Sequence, residues 1–157
     1  MSQETKLQHL TRYITESLSS TVLDNKIDAW QENMLLIVNG EDRGNGGIRI
    51  ATWQYNAVIS IEAYPQNLLD PRYLLSAVAC WLSEYDCNRS DIGLSDPNIS
   101  IDVLDDSTVD ISIELELSDH IEMIPDRSGL LCYKGQNYRV ETAQIYTAKE
   151  IDTCVSI

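Results

Sequence analysis

The region between residues 98 and 123 restricts the fold of this chain more than any other, because its side chains alternate in polarity along two runs. The runs flank the acidic connector Asp105-Asp106-Ser107, whose short polar side chains favour a turn. Successive side chains on a strand point to opposite faces, so each run predicts a strand with one apolar and one polar face. Together they predict an antiparallel hairpin with one face in solvent. The apolar positions are Ile99, Ile101, Val103, Val109, Ile111, Ile113, Leu115 and Leu117.

Two further runs predict the rest of the sheet. Residues 34–38 are continuously apolar, and the run is short enough for a buried strand. Residues 48–63 alternate in polarity and are predicted to pair antiparallel with the first run, ending at Pro65. The apolar face of this longer strand holds Trp53, Tyr55, Ala57, Ile59, Ile61 and Ala63.

The segment between these runs, residues 39–47, contains four glycines and predicts a flexible loop. It lacks the Gly-Lys-Ser/Thr ending of a phosphate-binding loop, and a strand pattern follows it instead of a helix. A mobile hairpin tip is the simplest interpretation, and a docking loop for a neighbouring subunit is compatible with it. The candidate contact residues are Glu41, Asp42, Arg43 and Asn45.

Helical spacing appears twice. Leu7, Leu10, Ile14 and Leu18 predict a helix over residues 2–19, at the sheet edge or in an interface. Asp70-Pro71 combines an N-cap residue with proline at the first helical position and predicts a helix to about residue 86.

The predicted fold class is α+β: a mostly antiparallel β-sheet of four or more strands, with the helix at about 71–86 packed on one face and an N-terminal helix. Residues 129–133 and 138–146 suggest one more hairpin around residues 135–137. The whole chain, residues 1–157, is predicted to form a single domain.

Composition narrows the function classes. The net charge is −14, from 25 acidic and 11 basic residues, which argues against specific nucleic-acid binding and against anionic membrane surfaces. No apolar run has the length needed to span a bilayer, and the first residues do not resemble a signal peptide. The chain has no Phe but eight Tyr and three Trp, and these residue types are enriched at subunit contacts.

The acidic residues of the hairpin also invite a chemical interpretation, which we reject. They alternate along a strand, so they occupy one solvated face and do not converge in a pocket. The connector lacks the D-x-D-x-D-G loop of a calcium site, and the cysteines and the two histidines form no zinc pattern. No nucleophile elbow precedes either histidine. We therefore predict no enzyme, no cofactor and no metal; convergence of Asp105, Asp110, Glu114 and His120 would contradict this.

The hairpin sequence from Val103 to Leu115 resembles the tail completion protein R family of contractile-tailed temperate phages. The aromatic-rich strand at 53–61 and the helix segment at 74–82 are similar to two further family segments, in the same order. The resemblance covers about residues 20–124 and leaves 125–157 without a match. Residues 117–121 read Leu-Ser-Asp-His-Ile where the family has Leu-Thr-Glu-Arg-Val, so a positive charge that relatives carry at this strand end is missing.

The resemblance implies a structural virion protein that completes a contractile tail at its head-proximal end and helps to form the head–tail joint. It implies a homo-oligomer, expected to be a hexameric ring, assembled in the host cytoplasm and then part of the virion tail. Its partners would be the tail tube and sheath proteins and a head-completion or connector protein. A ring around the DNA path should carry acidic residues in its bore, and we predict Asp105, Asp106, Asp110, Glu114 and Glu116. The alternative is that this face is outer surface.

Two other functions fit the sequence. One is a head-completion or neck protein on the head side of the joint, which electron microscopy of the particle would distinguish. The other is a small acidic DNA mimic that inhibits a nucleic-acid-binding protein, suggested by the charge alone. It predicts a compact monomer or dimer, so a size measurement by scattering separates it from a ring.

Overall fold

The computed structural model describes residues 4–18, 27–44 and 46–141, which form two helices and one six-stranded antiparallel sheet. The predicted α+β class is confirmed. In chain order the elements are α1 (Lys6–Ser17), β1 (Ile27–Asp42), β2 (Ile48–Pro65), α2 (Pro71–Tyr85), β3 (Asn98–Val103), β4 (Thr108–Pro125), β5 (Leu131–Tyr133) and β6 (Gln136–Val140).

Strand β4 organises the sheet, whose main order is β1-β2-β4-β6-β5. Strand β2 pairs along nearly the whole of β4, from Pro65 opposite Thr108 to Ile48 opposite Met123. The remaining edge of β4 is divided, because β3 pairs with its first part and β6 pairs only with residues 123–125. The predicted hairpin at 98–123 is therefore confirmed, with β4 reaching far beyond its partner β3.

The hydrophobic core lies between one face of the sheet and the two helices. Ile113 of β4 is fully buried in one cluster with Leu74, Val78 and Trp81 of α2. Helix α1 contributes the stripe predicted from its spacing, and this stripe is buried in the same cluster, so α1 packs in the core and does not lie at the sheet edge. The sheet residues of the core are Tyr55, Ala57, Ile59, Ile61, Tyr64, Val109, Ile111, Ile113, Leu115 and Leu117.

Both helices begin at side-chain caps that the sequence encodes. Thr5 and Gln8 form a reciprocal capping box at the start of α1. Asp70 accepts the backbone N–H of Arg72, and Pro71 takes the first position of α2, as predicted.

The alternation predicted for β2 fails at one residue. A bulge lies between Ile61 and Tyr64, where Ala63 adopts a φ of 52°. The extra residue moves the Tyr64 side chain into the core, where Ala63 was expected to point. The Ala63 N–H donates a hydrogen bond to Asp110 Oδ1 at 2.8 Å, so this acidic side chain stabilises the bulge.

Strand β1 departs from prediction in two ways. Residues 34–38 do form a strand paired with β2, but they are exposed rather than buried, with Val38 at 76% and Leu36 at 59%. In the part of the chain that the structure describes, they lie on the outermost strand, which has a sheet neighbour on one side only. The strand also continues through Asp42, so residues 39–42 of the segment predicted as a loop belong to β1, and Glu41 and Asp42 pair with β2. The C-terminal hairpin is shorter than predicted, turns at Lys134-Gly135, and its predicted end beyond residue 141 lies outside the described residues.

Candidate assembly surface

The face of the sheet opposite the helices is acidic. Its residues follow from the pairing register, because directly opposed residues share a face. Glu116 of β4 is opposite Asn56 of β2, which is opposite Glu32 of β1. The neighbouring rows add further carboxylates from β1, β3 and β4. We call this surface the acidic face and define it by Asp28, Glu32, Asp102, Asp110, Glu114 and Glu116.

Three of the predicted bore residues therefore share one surface. Asp110 is partly covered through its hydrogen bond to Ala63, whereas Glu114 is exposed between Val58 and Asn98. Glu116 Oε1 accepts from both the N–H and the hydroxyl of Ser95, at 2.9 and 2.8 Å. The backbone bond from Ser95 is the main reason that the pKa of Glu116 lies below its ordinary value. Glu116 is thus placed to carry negative charge at pH 7.

The other two predicted residues lie in the turn between β3 and β4. Asp105 Oδ1 accepts the backbone N–H of Ser107 and of Thr108, each at 2.8 Å, and the Thr108 hydroxyl at 3.0 Å. These bonds, led by the one from Ser107, lower the pKa of Asp105. Asp105 therefore builds the turn. Asp106 is exposed, and its backbone oxygen accepts from the Gln66 amide at 3.4 Å.

The predicted interaction loop is divided between a strand and a tight turn. Glu41 and Asp42 belong to β1, and Asp42 accepts the N–H of Gly44 at 2.7 Å. Arg43 donates its N–H to the Gly47 carbonyl at 2.8 Å, and its guanidinium lies 3.4 Å from the buried carboxylate of Glu122. Asn45 lies outside the described residues. The turn is consequently tied to β4.

A buried polar cluster was missed by the sequence reasoning. Asp119 accepts the Tyr55 hydroxyl at 2.5 Å and the backbone N–H of Lys6 at 3.0 Å. The Lys6 ammonium lies 2.7 Å from the buried carboxylate of Asp86, which also binds Arg89 at 2.8 Å. The cluster joins the start of α1 to β2, β4 and the end of α2. Asp119 is two residues after Leu117 and four after Leu115, so the alternation along β4 predicts that its side chain lies on the core face.

The acid–base candidates do not converge. Asp105, Asp110, Glu114 and His120 are spread along β4 and its turn, and the ten residues from Asp110 to His120 span about 33 Å of strand. The exposed residue His120 faces Thr52, with 3.2 Å between Nδ1 and the hydroxyl oxygen. Partial desolvation of its ring, followed by the charge of Arg49, lowers the pKa of His120 to about 4, so the imidazole is neutral at pH 7. Among the described residues, no helix has the length and apolarity to cross a membrane.

Comparison with known proteins gives the family. The family described as P2 phage tail completion protein R (GpR) matches residues 4–142. An uncharacterized 19.2 kDa protein from the rep-hol intergenic region of Haemophilus phage HP1 (strain HP1c1) is 29% identical over 150 residues, covering 96% of this chain and 90% of the relative. No solved structure matches the chain.

The match extends on both sides of residues 20–124, where the resemblance was first recognised, and it takes in β5, β6 and α1. The family consists of structural tail proteins, which is consistent with a non-enzymatic role. The chain belongs to the P2 phage tail completion protein R family and has a structural role in the phage tail.

Proposed function

We propose that this protein completes a contractile phage tail at its head-proximal end. In this role it forms a closed homo-oligomeric ring, expected to be a hexamer, on the last ring of tube and sheath. The ring stops tail polymerisation and offers a surface to the head-completion protein. A head-to-tail contact that closes by rotation produces such a ring, and the ring can match the symmetry of the tube that it ends.

The acidic face is the observation that carries this proposal beyond family membership. In the three rows of β1, β2 and β4 that pass through Ser60, Val58 and Asn56, the acidic residues alternate only with uncharged ones. The row farther along the sheet contains Arg49, which is paired with Glu41 and Glu122. A lining of this kind repels the DNA backbone, whereas Lys or Arg would bind phosphates and release counterions. Repulsion at short range allows DNA to slide without stalling. The acidic face therefore suits the bore of a ring through which DNA passes.

The test is to find the protein in the assembled particle. We expect gold labelling of an epitope-tagged chain, viewed by electron microscopy, to mark one end of free tails and the junction in complete virions. Particles made without the protein should contain tails of uncontrolled length that do not join heads.

Other locations would overturn the proposal. Label on tailless heads would instead favour a neck protein on the head side. Absence of label from virions, with the protein bound to a basic nucleic-acid-binding protein in the lysate, would favour the DNA-mimic alternative.

A further inference from the structure

Two of the edge strands of the described sheet, β1 and β3, expose apolar side chains. On one side, residues 34–38 of β1 expose every side chain, from 39% for Ile37 to 76% for Val38. We call these five residues the β1 apolar segment. Within the described residues β1 pairs only with β2, so the outer backbone groups of this segment have no strand beside them. Soluble proteins usually protect such an edge with charges, proline or a covering element.

On the other side, β3 pairs only with β4 among the described residues. Its residues Ile99, Ile101 and Val103 lie opposite core residues of β4 and therefore share the core face. Helix α2 does not cover them, and their exposed fractions are 40%, 43% and 71%. We call these three residues the β3 apolar row. A mostly apolar groove runs between this row and α2. Its lining consists of Leu75, Val78, Ala79, Leu82, Pro97 and Ile99, together with the polar residues Ser83 and Asp96.

The β1 apolar segment and β3 have similar lengths, and apolar side chains of both lie on the same face of the sheet. The β1 apolar segment has five residues, and β3 has six. Leu36 and Val38 lie opposite Trp53 and Ala51 and so share the face of the core, as the β3 apolar row does. A β1 segment placed beside β3 would therefore continue the sheet, and Leu36 and Val38 would extend the apolar surface that the groove begins.

We propose that the β1 apolar segment of one copy docks on the β3 edge and groove of a second copy. A second copy is the occupant that the charges favour. Two chains of net charge −14 repel each other, so a contact between copies requires a surface free of like charges. The β1 apolar segment contains no charged residue, so the single acidic residue of the groove lining, Asp96, would meet no like charge there.

The contact is head-to-tail, because it joins two different surfaces of the same chain. Each copy then keeps one free β1 edge and one free β3 edge until a ring closes. This inference rests on the proposed ring function and specifies how neighbouring subunits hold one another. It also accounts for an exposed apolar edge that would otherwise promote aggregation.

Two complementary variants test the geometry. Leu36→Glu places a charge on the β1 side, and Ile101→Glu places one on the β3 side. Light scattering and sedimentation velocity should show an oligomer for the wild type and a self-association at least about tenfold weaker for each variant alone. Leu68→Glu is the matched control, because Leu68 is 76% exposed in the loop before α2 and should assemble normally.

Mixing the two variants provides the decisive measurement. The Ile101→Glu chain keeps an intact β1 segment, and the Leu36→Glu chain keeps an intact β3 edge. An equimolar mixture should therefore form one-to-one dimers that cannot grow further. Assembly by Ile101→Glu alone would overturn the proposal and favour a symmetric β1–β1 contact. Assembly by Leu36→Glu alone, or a wild type that is monomeric both in solution and on isolated tails, would also overturn it.

Separate controls check that the variants fold and that the ring lies at the expected end of the tail. Both substituted side chains are exposed, so thermal melts of the variants should match that of the wild type. Val38→Glu repeats the test on the β1 side if Leu36→Glu melts early. The variants could behave as expected in the mixing test while the wild-type rings lie elsewhere than at the head-proximal end. That result would refute the proposed function and leave this contact standing. A correct location with normal assembly of both variants would refute only the contact.

Discussion

Asp119 of β4 accepts a hydrogen bond from the Tyr55 hydroxyl of β2 at 2.5 Å, and both residues are buried. The same carboxylate accepts the Lys6 N–H at the first turn of α1. One side chain thus joins two adjacent strands to the N-terminal helix. Burial is the main reason that the pKa of Asp119 and that of Tyr55 both lie above their ordinary values.

Replacement of Asp119 by Ala should lower the free energy of unfolding by roughly 2–4 kcal/mol. The change removes the acceptor of two hydrogen bonds and leaves buried donors without a partner. Tyr55→Phe removes one of these bonds and should cost about 1 kcal/mol. Urea denaturation of both single variants and of the double variant gives the coupling energy between the residues. Strictly additive effects would show that the short hydrogen bond contributes nothing of its own.

Asp119 should also leave a signature at acid pH. Its folded-state pKa lies above the unfolded value of 3.8, so the folded state binds the proton more tightly. The resulting stability is fully present below pH 3.8 and is lost as the pH rises through the folded pKa. Asp119→Asn should remove this component, so the variant should lose less stability than the wild type as the pH is raised from 3 to 6. Equal losses in urea melts would contradict the direction of the shift.

His120 predicts the opposite dependence. Its pKa falls from 6.5 in the unfolded chain to about 4 in the folded chain. The associated stability is therefore present above pH 6.5 and is lost as the pH falls toward 4, because the unfolded chain then binds a proton that the folded chain does not. Urea midpoints at pH 7, 5.5 and 4.5 should fall less in His120→Asn than in the wild type. Parallel curves for the two proteins would show that the imidazole titrates alike in both states.

The register of β4 gives a prediction about packing. Ile113 is fully buried against the α2 cluster, and the adjacent residue Glu114 is exposed on the opposite face. Ile113→Ala should cost about 2–5 kcal/mol through lost burial and a residual cavity. Glu114→Gln, the matched control one residue away, should change stability by less than about 0.5 kcal/mol. A larger effect at Glu114 than at Ile113 in thermal or urea denaturation would reverse the assigned faces.

The sequence pattern predicts the local elements well because their causes are local. Alternation determined the faces of β4 and most of β2, and Asp70-Pro71 determined the start of α2. The bulge at Ala63 escaped prediction because a non-glycine residue with positive φ leaves no mark in the alternation. The buried polar cluster was not predicted for a different reason. The alternation places Asp119 on the core face, but its partners Lys6 and Tyr55 are distant in sequence.

The acidic face also depends on contacts between residues that are distant in sequence. The alternation along β4 predicts that its carboxylates lie on one face of the sheet. Asp28 and Glu32 belong to the same face because of the register of β1 with β2, which the sequence does not give. Residues 34–38 have the composition of a buried strand, and composition does not reveal that the strand lies at the edge of the sheet. Exposure depends on how many neighbours a strand has, which is a property of the whole topology.

Charge reversal at one residue of the acidic face and one residue of the turn between β3 and β4 tests whether this side of the molecule contributes to the passage of DNA. Asp105 holds its turn through three hydrogen bonds, so the suitable positions are the exposed residues Asp106 and Glu114. Asp106→Lys with Glu114→Lys should permit tail formation but slow DNA ejection, because the new ammonium groups bind phosphates. The delay should be greatest at low ionic strength, where charges are least screened. Glu16→Lys with Asp91→Lys applies the same charge change to exposed residues of α1 and of the segment after α2, and should eject normally. Normal ejection kinetics in the Asp106 and Glu114 variant at every salt concentration would exclude the acidic face from the DNA path.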